Sequence, residues 1–106
     1  MALSGKQRRH LRALGHHLQP TVYIGKHGLT DAVTEAVDAA LSTHELVKIR
    51  IDGDSPADRH ESADSLATGL RAEVAQVVGN TLLLYRRHPN KPVIVLPKAA
   101  PAARPD

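Results

Sequence analysis

The sequence contains no cysteine, tryptophan or phenylalanine, and its only aromatic residues are Tyr23 and Tyr85. The lack of cysteine excludes disulfides and thiolate metal sites, and it is compatible with a reducing compartment. The scarcity of aromatic residues argues against a sheet that stacks several nucleic-acid bases on aromatic side chains. No apolar run has membrane-spanning length, and the first six residues lack the apolar segment of a signal peptide. We therefore expect a soluble cytoplasmic protein without membrane contact.

Charge is distributed unevenly along the 106 residues, although the formal net charge is only +3. Residues 1–28 contain five cations and no acid, and residues 29–47 contain four acids and no cation. Residues 74–105 again contain five cations and no acid. This asymmetry is typical of a protein with a basic face for a polyanion and acidic helices turned away from it. A solvated surface with uneven charge explains the composition equally well.

A Gly-x-x-Gly turn with a basic middle, Gly25-Lys26-His27-Gly28, stands between a predicted strand at 21–24 and a predicted helix capped by Thr30. The glycines allow a sharp turn and a close approach to another backbone, and the start of the helix favours an anion. We therefore expect the loop to bind nucleic-acid phosphate. Two observations weaken this interpretation: Asp31 lies close to the site, and Gly28 could serve only the backbone angle before the helix.

The first helix is predicted to be basic and amphipathic. Ser4 and Gln7 have the spacing of a capping box, and the helix they open extends to about His17. A stripe of leucines, Leu3, Leu11, Leu14 and Leu18, should face the core. The cations outside that stripe are Lys6, Arg8, Arg9 and Arg12. Because the segment contains no acid to pair with them, they are candidate contacts to a polyanion.

The remaining periodicities complete the order α-β-α-β-α-β-β, an α/β (α+β) two-layer sandwich with a mixed four-stranded sheet. Alternation at 45–51 places Lys48 and Arg50 on an open strand face, opposite the helices. We expect Ser55 to cap a third helix whose first residue is Pro56 and whose C′ residue is Gly69. Strands at 74–78 and 81–86 are joined at Gly79-Asn80. A further edge strand at 93–96 and a domain boundary at 97 complete the prediction, with 98–106 as a disordered Ala/Pro-rich tail.

Four stretches in register, residues 3–16, 25–30, 45–49 and 76–86, resemble the CRM domain (chloroplast RNA splicing and ribosome maturation). The likeness is greatest to the stand-alone YhbY-like members of this RNA-binding family. The resemblance implies a fold like the C-terminal domain of translation initiation factor three, and a glycine loop that works like that of KH domains. It also implies association with precursors of the large ribosomal subunit and a role in their assembly. The implied RNA contacts are Gly25, Lys26, His27 and Gly28, with the basic first helix, Lys48 and Arg50 in support.

Three other functions compete with RNA binding. The loop does not match a Walker phosphate-binding motif, and no spacing selects a nucleophile with its base, so we expect no enzyme and no small-molecule substrate. His10, His16 and His17 lack the i, i+4 spacing of a helical metal site, so we expect no metal or other cofactor. A non-enzymatic adaptor that docks proteins through its acidic helices, on the ribosome or another ribonucleoprotein, stays open as an alternative. We expect a monomer.

Overall fold

The computed structural model describes residues 3–98, which form three helices and four strands. In chain order these are α1 (Gly5–Gly15), β1 (Val22–Ile24), α2 (Asp31–His44), β2 (Leu46–Ile51), α3 (Arg59–Leu70), β3 (Glu73–Val78) and β4 (Thr81–Tyr85). The predicted element order and the α+β class are confirmed. The proposed tail falls outside the described residues, apart from Lys98. Within the described residues, no helix combines the length and apolar character needed to cross a bilayer.

The strands form one mixed sheet in the order β1-β2-β4-β3. β1 and β2 pair in parallel through the α2 crossover, while β4 runs antiparallel to both β2 and β3. The hairpin between β3 and β4 turns at Gly79, whose φ of +55° is readily available to glycine. The mixed four-stranded sheet is therefore as predicted.

Helices cover both faces of the sheet, which gives three layers rather than the expected two. Val47, Ile49 and Ile51 pack beneath α2 and α3 in the larger core, as their alternation predicted. On the other face, Leu3 and Leu11 pack α1 into a second core with Leu83 and its neighbours. The face that carries Lys48 and Arg50 is therefore partly covered, because the leucine stripe of α1 is buried against it.

Gly15 allows the end of α1 to lie directly on β4. A Cβ at this position would come within 2.7 Å of the Leu83 side chain, so a larger residue would push the helix away from the sheet. Ser4 and Gln7 form the predicted capping box at the other end of α1. Leu14, by contrast, is 38% exposed although it belongs to the predicted buried stripe.

The start and the end of α3 differ from the sequence prediction. The N-cap is Asp58, whose Oδ2 accepts from the Glu61 amide at 2.9 Å. The Ser55 hydroxyl instead accepts from the amide of Ala57 in the preceding turn, so it does not begin the helix. At the other end, Gly69 lies inside the helix, and Arg71 adopts the left-handed conformation with φ +57°. Local side-chain bonding therefore decided the choice between two competent caps.

Residues 88–97, here called the strap, lie over the α1 side of the sheet without forming a strand. The edge strand predicted at 93–96 is wrong because the amides of Val93 and Ile94 donate to the carboxylate of Glu45, both at 2.8 Å. A third amide, that of His88, donates to the other carboxylate oxygen at 2.7 Å. At the far end of the strap, the carbonyl of Pro97 accepts from Nε2 of Gln7 at 3.1 Å.

Glu45 is the point at which the strap joins the rest of the fold. The residue is 2% exposed and has a φ of +62°, a conformation that side-chain-bearing residues rarely adopt. Burial by itself raises the pKa of its carboxyl group, but the three backbone donors outweigh burial and lower the pKa below its ordinary value of 4.5. The carboxylate is therefore held in its charged form.

We expect Glu45→Gln to reduce the free energy of unfolding by about 1–3 kcal/mol, because an amide NH₂ cannot accept from the His88 amide. The contribution of Glu45 should be complete above about pH 4.5 and lost as the pH falls through the lowered folded pKa. Urea unfolding at several pH values measures both effects, and amide exchange at Val93 and Ile94 reports the strap itself. The exposed Glu35→Gln is the control, and an equal loss in both variants would contradict the role of Glu45.

Candidate nucleic-acid interface

The Gly-x-x-Gly loop connects the edge strand β1 to α2 at one end of the sheet. The amide of Gly28 donates to the carbonyl of Gly25 at 3.0 Å, which closes the predicted tight turn. The two glycines differ in environment. Gly28 is buried with φ +72°, whereas a Cβ built on Gly25 meets no atom within 4 Å. Gly28 therefore shapes the loop, and Gly25 leaves its outer surface accessible.

Lys26 and His27 occupy the exposed tip of this loop. Within residues 3–98 neither their side chains nor their amide N–H groups make a hydrogen bond, so the backbone donors are available to an anion. α2 begins directly after the loop, capped by the Thr30 hydroxyl on the amide of Val33 at 3.2 Å. Asp31, the acid expected to oppose anion binding, is exposed in the first turn of α2. The arrangement provides two side-chain cations or donors, free amides and the positive end of a helix.

The four cations of α1 lie on its solvent side. Lys6, Arg8, Arg9 and Arg12 are all exposed, and none forms an ion pair or a side-chain hydrogen bond in the described part of the chain. In contrast, the guanidinium of Arg86 is fixed by Asp38 at 2.7 Å and by the carbonyl of Leu70 at 3.0 Å. The α1 cations thus carry uncompensated charge, as expected for contacts to a polyanion.

The structure gives Lys48 and Arg50 different roles, although the sequence analysis predicted the same role for both. Nζ of Lys48 donates to the carbonyls of Gly15 at 3.0 Å and Leu18 at 3.3 Å, at the C-terminal end of α1. Its charged amino group therefore caps the C-terminal end of α1. Arg50 is exposed and has no partner among residues 3–98, so it is the cation of this face that is available to a ligand.

The sequence analysis did not include one exposed aromatic residue, Tyr23, among the candidate RNA contacts. Tyr23 is 55% exposed, while Tyr85 is 1% exposed in the second core. Tyr23 is in register with Arg50, Arg50 with Thr81, and Thr81 with Val78, so these four residues share one face of the sheet. We call them the open row. The alternation of Val22, Tyr23 and Ile24 indicated an outward tyrosine, but its alignment with Arg50 depends on strand pairing.

The described residues were also compared with the requirements of a metal site and of a ligand pocket near the open row. No group of three or more histidine, aspartate or glutamate side chains is placed to hold a metal ion in this part of the chain. A concavity of about 230 Å³ lies beside the open row, between the end of α1 and the strands β3 and β4. Its lining residues are Gly15, His16, Lys48, Gln76, Val78, Thr81 and Leu83.

Comparison with known proteins gives consistent matches. Residues 3–86 match the model of the CRS1 / YhbY (CRM) domain. The chain is 36% identical to the probable RNA-binding protein YqeI of Bacillus subtilis, covering 90% of this chain and 99% of that protein. It is 34% identical to the probable RNA-binding protein PA4753 of Pseudomonas aeruginosa, covering 84% and 86% respectively. The solution structure of SAV1595 from Staphylococcus aureus, described as a putative RNA binding protein, has a TM-score of 0.75 at 35% identity, covering 90% of this chain and 99% of that one.

The two loop glycines should respond differently to alanine. Gly28→Ala should reduce the free energy of unfolding by roughly 1–2 kcal/mol, because an alanine is strained at φ +72°. Gly25→Ala should leave stability within about 0.5 kcal/mol, since its Cβ enters open space. Urea denaturation of the two variants in parallel measures the difference. Equal stabilities would contradict the distinct roles assigned to the glycines.

Lys48 and Arg50 provide a second matched pair. Lys48→Met should reduce the free energy of unfolding by about 1 kcal/mol, because it removes a cation from the carbonyls at the end of α1. Arg50→Met should change stability by less than about 0.5 kcal/mol, because its guanidinium has no partner in the described chain. Thermal and urea unfolding check both values. A larger loss for Arg50→Met than for Lys48→Met would refute the assignment.

Proposed function

Since this chain belongs to the CRS1 / YhbY (CRM) domain family, we propose that it is a non-catalytic RNA-binding protein whose Gly25–Gly28 loop lies against an RNA backbone. We further propose that its RNA is ribosomal, within precursors of the large subunit, and that it assists their assembly. In this proposal the protein acts as a cytoplasmic monomer.

The exposed tip of the loop is the observation that carries the proposal. Lys26 and His27 stand at the end of the sheet with free amides and without an acidic partner in the described chain. Gly25 leaves the outer side of the turn open, so a phosphate can approach the backbone. These groups recognise a phosphate and carry no base information, and they therefore position an RNA rather than select its sequence.

The exposed α1 cations provide a second basic surface. Their helix packs on the same sheet face that carries Arg50. An RNA held at the loop could therefore continue toward Arg50 or toward the α1 cations. The names of the related proteins from B. subtilis and P. aeruginosa support RNA as the polyanion. The ribosomal part of the proposal rests on the likeness to the family and on no contact within this structure.

We expect Lys26→Ala combined with Arg9→Ala to weaken RNA binding and to flatten its salt dependence. For single strands, the logarithm of the affinity should fall by about 0.7 per phosphate contact per log unit of salt. The matched control, Arg87→Ala with Lys91→Ala, removes two exposed cations that follow β4, at the sheet end opposite the loop. Fluorescence anisotropy between about 50 and 200 mM salt measures both quantities. A flat titration for the unmodified protein would exclude phosphate binding as the mechanism.

The identity of the RNA is tested by crosslinking in cells, followed by sequencing of the bound RNA. We expect reads from large-subunit ribosomal RNA precursors, and we expect them to decline with the loop variant. Gly25→Asp is suited to this experiment, since it adds a negative charge at the open glycine without requiring a strained φ. Enrichment of unrelated RNA would overturn the ribosomal proposal while leaving RNA binding intact.

A further inference from the structure

The open row provides a binding surface of a different chemistry from the phosphate-binding loop. Tyr23 and Val78 are each 55% exposed at its two ends, with Arg50 and Thr81 between them. Strands are spaced about 4.8 Å apart, so the row spans roughly 14 Å across the sheet. We propose that it binds an unpaired nucleobase of single-stranded RNA, stacked on Tyr23 and flanked by Arg50. This inference rests on the proposed RNA binding and names the class of RNA that the surface takes.

The chemistry of the row favours a base over other occupants. An exposed tyrosine ring offers a flat face, and a guanidinium beside it adds a second planar group and a positive charge. Thr81 supplies a hydroxyl and Val78 an aliphatic surface on the same face. Arg50 has no acidic partner in the described chain, and the acids at this end of β2, Asp52 and Asp54, lie in the turn beyond the strand. The combination suits an aromatic base attached to a sugar–phosphate backbone.

The row also continues directly from the loop. Tyr23 precedes Gly25 by two residues, which corresponds to about 7 Å along a strand. A nucleotide whose phosphate lies at Lys26 could therefore place a neighbouring base on Tyr23. Only unstacked bases expose their faces, so this geometry selects single-stranded segments over duplex. One exposed aromatic residue accommodates one stacked base, which agrees with the scarcity of aromatic residues in the chain.

Within residues 3–98, α1 does not cover the row because the helix ends over Leu83, two residues from Thr81 along β4. The last residue of α1, Gly15, lies against Leu83, and Lys48 beside Leu83 caps that helix end. On this face of β2 and β4, the next residues toward the loop are Arg50 and Thr81 of the open row. Strand propensity alone would also explain a tyrosine in β1, and the experiment must separate the two explanations.

Tyr23→Val removes the ring and keeps a side chain that favours strands, so it separates stacking from strand formation. With a short single-stranded RNA, we expect about 5- to 150-fold weaker binding for Tyr23→Val, which is the range measured for base stacking on aromatic residues. Tyr23→Phe should retain the affinity, and Val95→Ala, at another exposed residue in the strap, should have no effect. A probe with abasic positions should bind the unmodified protein more weakly and should remove the difference between Tyr23→Val and the unmodified protein.

Tyrosine fluorescence gives an independent readout, because the chain has no tryptophan and its other tyrosine is buried. RNA should quench the emission of the unmodified protein, and Tyr23→Phe should bind without that quenching. Loss of affinity in Tyr23→Val together with this quenching supports the proposal. The base site would be overturned if Tyr23→Val bound single-stranded RNA as tightly as the unmodified protein, and if the unmodified protein bound abasic and duplex probes as tightly as the single strand. That result would leave the loop proposal standing. Failure of the unmodified protein to bind any RNA would overturn both.

Discussion

The buried carboxylate of Glu45 is the interaction on which the arrangement of the α1 side depends. Its backbone amide donates to Leu41 at the end of α2, and its carbonyl accepts from Arg86 beyond β4. Its side chain accepts three amides of the strap. One residue thus joins a helix, two strands and a segment without regular structure. The unusual φ of +62° is tolerated because these bonds fix the residue from several directions.

The two faces of the sheet are stabilised in different ways. α2 and α3 cover one face with a continuous apolar core, and Arg86 links the two helices through Asp38 and Ser42 of α2 and the carbonyl of Leu70 in α3. The other face is covered by α1 and the strap, which need polar attachments in addition to a smaller core: Glu45 for the strap and Lys48 for the end of α1. This less complete cover leaves one end of the sheet open beside the glycine loop.

The geometry shows which charges of the asymmetric distribution are paired within the described chain and which are not. Asp38 is paired with Arg86 on the α2 side, whereas the cations of α1, the loop and Arg50 lack partners in the described chain. The free amides of the loop, Tyr23 and Arg50 lie at one end of the sheet, and the α1 cations lie on the solvent side of the helix that packs on the same sheet face as Arg50. Together these groups offer positive charge for a nucleic-acid backbone and one aromatic face for a base. The CRM family membership and the names of the related proteins agree with this interpretation.

Local sequence patterns alone determined the element order, the capping box of α1, the hairpin turn and the glycine loop, because each depends on residues close together in the chain. Tertiary structure decided what distant residues do. Lys48 and Arg50 share a face and a charge, yet only Lys48 lies under a helix end. Val93 and Ile94 belong to a short apolar run that favours a strand, yet a carboxylate 48 and 49 residues away accepts from their amides. Tyr23 became a candidate contact only when strand pairing placed it beside Arg50. Local periodicity sets which way a side chain points, but packing between distant segments sets whether it meets protein or solvent.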